Sequence, residues 1–288
     1  MARNSRAAQS ARQAEHGERL PAEVRRARIL ASIGKAGFVS ISGLAEELGV
    51  SGMTIRRDVN MLEARGELER THGGAIAEAA PPVGFDAVEP AFEHRMRQQA
   101  QRKAAIARAA AGLVGRGESI GLDVGTSILA LVAELSGRSD LRVFTNNLRA
   151  AMQMAVSGSE VYVPGGRVRD VESSIVGARA VEELRSRFLD RVFVGVSGFD
   201  ANGLYDYSLE DSDVKRAFIA NANQAIVLCD SSKFGRRALA RVGPLDEADI
   251  LITDAPPPPE LAGALERSGV RVIVAAPAPR LLSIQQQE

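Results

Sequence analysis

Apolar residues near the start of the chain recur with a helical period. Val24, Ile29, Leu30 and Ile33 share one face of a helix that Gly37 stops. The stretch "SISGLAEELGVS" predicts a second, shorter helix, with Ser42 as its N-cap, Leu44, Ala45 and Leu48 turned inward and Gly49 at its end. Ser51 caps a third, on which Ile55, Val59 and Leu62 fall at i, i+4 and i+7 and so line one stripe. Three short helices separated by tight turns, the second and third joined through "GVS", form a helix-turn-helix unit. The following "GELERTHGGA" is too polar and glycine-rich for another helix and suits a β-hairpin, which adds a wing. The unit spans 21–76, behind an Ala-, Arg- and Gln-rich arm over 1–20 that reads as flexible.

Periodicity stops at "EAAPPVGFDAVEP", so a linker is expected over 77–91. From 92 to 288 the pattern is different. "FEHRMRQQAQRKAAIARAAAGLV" reads as one long helix, and the apolar runs "SIGLDV", "LRVFTN", "EVYVPG", "DRVFVGVSG", "QAIVLCD", "DILITD" and "VRVIVA" then alternate with amphipathic segments. Short β-branched or aromatic runs separated by helices describe βαβ crossovers. The expected fold class is therefore α/β: a winged helix-turn-helix domain followed by a doubly wound, mainly parallel sheet covered on both faces.

The totals narrow the partners. Over 288 residues the formal net charge is +0, so any attraction to nucleic acid must come from a local patch. The lone cysteine, Cys229, lies in an apolar strand and reads as a buried, inert thiol. With His16, His72 and His94 far apart, no cluster of His and Cys is available for a metal, and none is expected. The N-terminal segment lacks the apolar core of a signal peptide and no later stretch is long and apolar enough to span a membrane, which points to the cytoplasm.

On the third helix, the stripe of Ile55, Val59 and Leu62 leaves Met53, Arg57 and Asn60 on the opposite side, with Thr54 and Arg56 on the flanks. A helix fits the major groove, and an arginine fork can pair with the O6 and N7 edge of guanine. Ser51 and Thr54, at the helix start, can reach phosphate, and Arg70 and His72 on the wing would add backbone or minor-groove contacts. A solvated face, with Arg56 or Arg57 paired to Asp58 or Glu63, is the alternative that composition leaves open.

In the second domain the informative stretch is "IGLDVGTSILAL". A strand ends at Asp123, Gly125 permits a tight turn, and Thr126 and Ser127 open a helix whose first N–H groups carry positive partial charge. Such a corner binds anions, commonly phosphate, unless Thr126 or Ser127 merely caps the helix. It is neither the dinucleotide fingerprint nor a Walker A loop, so no nucleotide cofactor is expected. Asn146 and Asn147, Gly165, Gly166 and Arg167, and Asp230 and Lys233 follow other strands, and ligands of parallel sheets collect at those ends. Lys215 in "EDSDVKRAF" is a further cation, although a lysine on a helix is ordinarily solvated.

The order of these motifs resembles the DeoR family of bacterial transcription regulators. "VSISGLAEELGVS" with "TIRRDVNMLEARGELERTHGGA" is similar to its DNA-binding signature, and "DVGTS", "TNN", "GG" and "DSSKFG" follow in family order. Glu67 and Glu69 around Leu68 make this wing less basic than the family pattern. The resemblance implies an effector domain similar to ribose-5-phosphate isomerase that senses phosphorylated sugars. It carries Asp123, Gly125, Thr126, Ser127, Asn146, Asn147, Gly166, Lys215 and Lys233 over as effector contacts. The isomerase's Asp-Gly-Ala-Asp-Glu and later Glu-Lys stand here as "VSGFD", Val196 to Asp200, and as Val214 and Lys215. Valine and phenylalanine cannot move protons, which suits binding without turnover. An enzyme remains the alternative if Asp200, Glu210, Asp211 or Asp213 substitutes as the base. The expected function is a repressor of carbohydrate-metabolism genes, with operator DNA and a sugar phosphate as partners. Two recognition helices about 34 Å apart imply a homodimer or homotetramer.

Overall fold

A computed structural model describes residues 20–36, 38–64, 68–71, 74–77, 85–86 and 89–275. The chain divides into two compact units, Met1–Ala80 and Pro81–Glu288. Residues 1–19 of the expected arm, Gly37, His72 and most of the expected linker lie outside the described residues.

The first unit runs α1 (Ala22–Ala36), β1 (Phe38–Ser40), α2 (Ile41–Glu47), α3 (Gly52–Ala64), β2 (Leu68–Thr71) and β3 (Gly74–Ala77). Its core gathers Ile29, Ile33, Leu44, Leu48, Ile55, Val59, Leu62 and Leu68, as the helical periods require. Val24 departs from the expected face and is 45% exposed. The N-cap of α2 is Ser40, not Ser42: Ser40 holds extended backbone and its Oγ accepts from the Gly43 N–H at 3.0 Å. The helix starts two residues too early for Ser42 to do this. The hairpin of β2 and β3 forms the wing, with Arg70 opposite Ala75. An unanticipated strand, β1, completes a three-stranded antiparallel sheet by pairing Val39 with Ala75. Asp58, 4% exposed, ties α3 to α1 by accepting from Arg25 Nε at 2.5 Å, with Arg26 Nε at 3.4 Å.

In the second unit the expected long helix is two, α4 (Phe92–Arg97) and α5 (Ala100–Ala111). Gln99 breaks it with a left-handed φ of 54°. The break turns Lys103 back so that its Nζ donates to the Arg95 carbonyl. No proline or glycine marks the position, so the sequence carried no sign of it.

The seven apolar runs are the seven strands of one sheet. They are β5 (Ser119–Leu122), β6 (Arg142–Thr145), β7 (Glu160–Tyr162), β10 (Arg191–Gly195), β13 (Ala225–Leu228), β16 (Ile250–Thr253) and β17 (Arg271–Val274). Their order is β17-β16-β13-β10-β5-β6-β7, and every neighbouring pair is parallel. On one face lie α5, α6 (Thr126–Leu135) and α7 (Leu148–Val156), packed around Ile106, Ile128, Leu131 and Met154. On the other lie α8 (Ala178–Arg185), α9 (Leu209–Ala220) and α10 (Pro259–Arg267), around Leu184, Val214, Phe218 and Leu261. Alternate residues of β10 serve the two cores, Phe193 one and Val192 and Val194 the other. That is the period of a strand buried on both faces.

Smaller pieces decorate the carboxyl end. β8 (Arg167–Arg169) and β9 (Ser174–Val176) form a hairpin, and β11 (Gly198–Asp200), β12 (Gly203–Asp206) and β15 (Ala240–Gly243) a second antiparallel sheet. β4 (Phe85–Asp86), inside the expected linker, pairs with β14 (Arg237–Ala238). Among the described residues no helix is long and apolar enough to cross a membrane, and no group of three or more His, Cys, Asp or Glu could hold a metal ion.

Candidate functional site

The start of α3 is built by Ser51. Its Oγ accepts from the Thr54 N–H at 3.2 Å and lies 2.9 Å from the Thr54 hydroxyl, so the pair shares one hydrogen bond and keeps one donor free. Ile55 and Val59 are 0% exposed and Leu62 1%, which fixes the rotation of the helix. Met53 is therefore 73% exposed, and Arg56, Arg57 and Asn60 are exposed with it. Among the described residues neither Arg56 nor Arg57 forms an ion pair, because Asp58 turns inward to Arg25 and Arg26. The self-paired face that composition left open is not formed. Arg70 sits in β2, but its side chain, like the whole of His72, lies outside the described residues.

The second site follows from strand order. β5 leads outward to β6 and β7, and the chain then returns to β10 on the other side of β5. Parallel sheets bind ligands at such a switch, outside the carboxyl ends of the strands. Asp123, the residue after β5, is 0% exposed, and its Oδ2 accepts from the Gly195 N–H at 3.0 Å and from Lys215 Nζ. Glycine at 195 lets the end of β10 lie close to the chain leaving β5, since a Cβ there would stand 2.7 Å from the Val124 carbonyl oxygen. Gly125, at φ 113°, caps α6 with no side-chain hydrogen bond, so neither Thr126 nor Ser127 acts as the cap and the first turn keeps its donors.

Lys215 is not the solvated lysine its helix suggested. It is 1% exposed, bound to Asp123 and 3.2 Å from Asp206 Oδ2. Burial pulls its ammonium down, but Asp123, Asp206 and Asp211 outweigh that and hold it above the usual lysine range. Its charge is balanced from within, which removes it as a free cation for a ligand. Asn147 is also committed: its Oδ1 caps α7 by accepting from the Arg149 and Ala150 N–H groups at 3.0 and 3.2 Å. Asn146 Nδ2 donates to the Ile175 carbonyl at 3.4 Å. Gly166 packs on the β8–β9 hairpin, where a Cβ would meet the Val176 carbonyl oxygen at 2.6 Å.

Around this corner stand buried polar atoms without partners: Asp123 Oδ1, Asn146 Oδ1, Asn147 Nδ2, Glu172 Oε2, Ser174 Oγ and Asp211 Oδ1. Natural interiors leave few such groups, and four of these six are acceptors. Glu172 and Ser174 lie farther along the β8–β9 hairpin that Arg167 opens, and neither belongs to a stretch that the sequence singles out.

A cationic corner lies at the end of β13. Asp230 caps the single turn Ser231–Lys233 by accepting from the Ser232 N–H at 3.1 Å, and Lys233 there is half-buried. α5 is held to this turn by Arg102, 3.3 Å from Asp254 and 3.4 Å from the Ser231 hydroxyl. The next residue, Lys103, is 6% exposed. Burial lowers its pKa to about 8, with Lys233 and Arg95 adding to the effect and Asp230 and Glu172 opposing it. Arg236 leaves a buried Nε without a partner. Lys103 and Arg236 escaped the sequence reading because neither belongs to a recognisable loop motif. Cys229 is 1% exposed, and burial pushes its thiol up, as expected of an inert core cysteine.

The four carboxylates that the sequence offers as an isomerase base each form an ion pair, although Asp211 keeps its Oδ1 unpartnered. Asp200 pairs with Arg237, Glu210 with Arg167, Asp211 with Arg169 and Asp213 with Arg216.

Residues 25–79 match the DeoR-like helix-turn-helix domain, and residues 98–255 match the DeoR C terminal sensor domain. The glycerol-3-phosphate regulon repressor of Escherichia coli K12 is 33% identical over 232 residues, covering 80% of this chain and 90% of its own. The transcriptional repressor CsqR of the same organism is 30% identical, covering 86% and 93%. GlcR of Bacillus subtilis 168, also a transcriptional repressor, is 33% identical, covering 79% and 86%. Among solved structures, ribose 5-phosphate isomerase A from Methanocaldococcus jannaschii overlaps 46% of this chain and 53% of its own at 20% identity and a TM-score of 0.34. With both domains present in order and relatives that span most of its length, the chain belongs to the DeoR family of transcription regulators.

Proposed function

We propose that this regulator is a repressor of carbohydrate-metabolism genes that reads operator DNA with α3 and releases it in response to a phosphorylated sugar or polyol. The observation that carries the sensing half is a set of buried, unpartnered acceptors around Asp123, together with three cations, Lys103, Lys233 and Arg236, gathered near the end of β13. Hydroxyls satisfy the first and a phosphate dianion the second. Asp123, Asn146 and Ser174 hold the hydroxyls, and the N–H groups around Thr126 and Ser127 complete the anion end. The relative named as the repressor of a glycerol-3-phosphate regulon supports the same ligand class. Lys215 supports this site without touching the ligand, and Asn147, whose Oδ1 caps α7, keeps its Nδ2 for it.

Turnover is not part of this reading. Val196, Phe199 and Val214 stand where the isomerase pattern has proton-moving acids, and the nearby acids are ion-paired. A coupled isomerase assay on the purified protein should read background. Work on DNA places the protein in the cytoplasm, and a palindromic operator requires at least two copies.

The test is selection of operators from genomic fragments by the full chain, followed by a screen of phosphorylated sugars and polyols for release. Operator affinity should fall steeply with salt, because phosphate contacts release counterions. Arg57→Ala is expected to cost about 1–3 kcal/mol on the preferred operator and little on unrelated DNA, measured by fluorescence anisotropy. An equal loss on every duplex would make Arg57 a phosphate clamp. Operators that no phosphorylated compound releases would remove the sensing half of the proposal.

A further inference from the structure

Among the described residues, two that are not glycine hold a left-handed backbone: Gln99 at φ 54° and Ser173 at φ 55°. Residues with a Cβ persist there only where their surroundings impose it, and such positions gather at binding sites and switches. Gln99 ends the break between α4 and α5, and Ser173 turns the β8–β9 hairpin. The two turns bracket one ion pair. Arg95, just before the first, meets Glu172, just before the second, at 2.5 Å in the interior.

That pair belongs to a longer line. Arg95 also lies 3.2 Å from Glu89, whose other oxygen accepts from Arg169. Arg169 in turn pairs with Asp211 of α9 at 3.0 Å. The charges alternate along Glu172, Arg95, Glu89, Arg169 and Asp211, and none of the five side chains is more than 18% exposed. Both ends of the line are open, since Glu172 Oε2 and Asp211 Oδ1 are buried without partners. Both end carboxylates also feel the Lys215 ammonium at the Asp123 corner. The middle, Glu89, lies between β4 and α4, on the segment that brings the chain in from the DNA-binding unit.

We propose that this line of charge is a relay that reports occupancy of the effector pocket to that segment; the proposal rests on the sensing reading above. A ligand hydroxyl that donates to Glu172 Oε2 or Asp211 Oδ1 draws negative charge away from the oxygen bound to the arginine. The arginine then bonds Glu89 more strongly. A filled pocket tightens the hold on Glu89, and an empty one relaxes it. The left-handed turns beside the Arg95–Glu172 pair supply backbone that can settle differently in the two conditions.

The test uses full-length Glu89→Gln beside the wild type, on the selected operator duplex. The probes are sn-glycerol 3-phosphate, ribose 5-phosphate, glucose 6-phosphate and fructose 6-phosphate. The change keeps the shape of residue 89 and leaves each arginine its other carboxylate, so the fold should survive. The expected result is operator affinity and compound affinity within about threefold of wild type, with the compound's roughly tenfold effect on operator affinity reduced to less than about twofold. An undiminished response in folded Glu89→Gln overturns the relay while leaving sensing intact. Loss of compound binding in the variant also overturns it, because Glu89 would then be part of the pocket. Failure of every probe to act on the wild type removes the sensing reading and the relay together. Gln99→Gly, which keeps every charge and frees the strained turn, is the second variant, read in the same way if Glu89→Gln does not fold. It too should lose most of the coupling, and an unchanged coupling overturns the proposal.

Discussion

Replacing Lys215 with Met is expected to cost the sensor unit about 3–5 kcal/mol of stability, read as a lower denaturant midpoint. The ammonium, 1% exposed, stands against Asp123, 0% exposed, and Asp206. Methionine fills similar volume but leaves those carboxylates buried without a counter-charge. The loss should depend on pH with a definite sign. Burial already pushes Asp123 up to about 6, against the pull of Lys215, and removing the lysine pushes it higher. A carboxyl whose folded pKa lies above its unfolded value of about 3.9 favours folding when protonated, so that contribution is lost as pH rises through the folded pKa. The variant should therefore regain stability as pH falls from about 7 towards about 5. Full stability at neutral pH would mean that Asp123 does not carry a charge that needs Lys215.

Lys103→Met should act in the opposite direction, stabilising the unliganded protein while weakening phosphate binding. Burial lowers Lys103 to about 8 in the folded state, well below its unfolded value, so folding penalises its charged form. That penalty is complete below the folded pKa and disappears as pH rises through the unfolded one. Denaturation across pH should show Lys103→Met more stable by about 2 kcal/mol at neutral pH, with the gain shrinking to nothing between about pH 8 and about 10.5. The lost hydrogen bond to the Arg95 carbonyl trims the gain. Binding of the effector, measured by calorimetry, should fall about 10- to 100-fold, the value of one charge-assisted hydrogen bond. A variant that is less stable at neutral pH and binds normally would make Lys103 a structural cation. A gain in stability joined to a loss of binding would mark a residue kept for its ligand at the expense of the fold.

Much of this architecture was legible in advance. The stripe of Ile55, Val59 and Leu62 set the rotation of α3 and with it the outward face of Arg56 and Arg57. All seven apolar runs became strands of the parallel sheet, and the central ones, β5, β10, β13 and β16, are the plainest because strands buried on both faces advertise themselves by unbroken hydrophobicity. Asp123 and Gly125 lie at the carboxyl end of β5, beside the switch in strand order, as a ligand-binding turn should. Less legible were the elements without a period. The β1 strand is only three residues long, and the break at Gln99 carries neither glycine nor proline. The β8–β9 hairpin, with Glu172 and Ser174, follows no apolar alternation.

The sequence by itself determined the three helices of the first unit, the seven strands of the parallel sheet, and the face that α3 shows to the core. Those features are local, decided by period and by neighbours within a turn or a strand. Only the tertiary structure decided which charges are free. Lys215 is neutralised by Asp123, 92 positions away, and Arg95 meets Glu172 across 77. Lys103, inconspicuous on its helix, is driven into a buried corner by a break that no local signal announces. Whether a charged group binds a ligand or another part of the protein depends on partners and burial brought by distant segments, and the order of strands in the sheet sets those, not the spacing of residues along the chain.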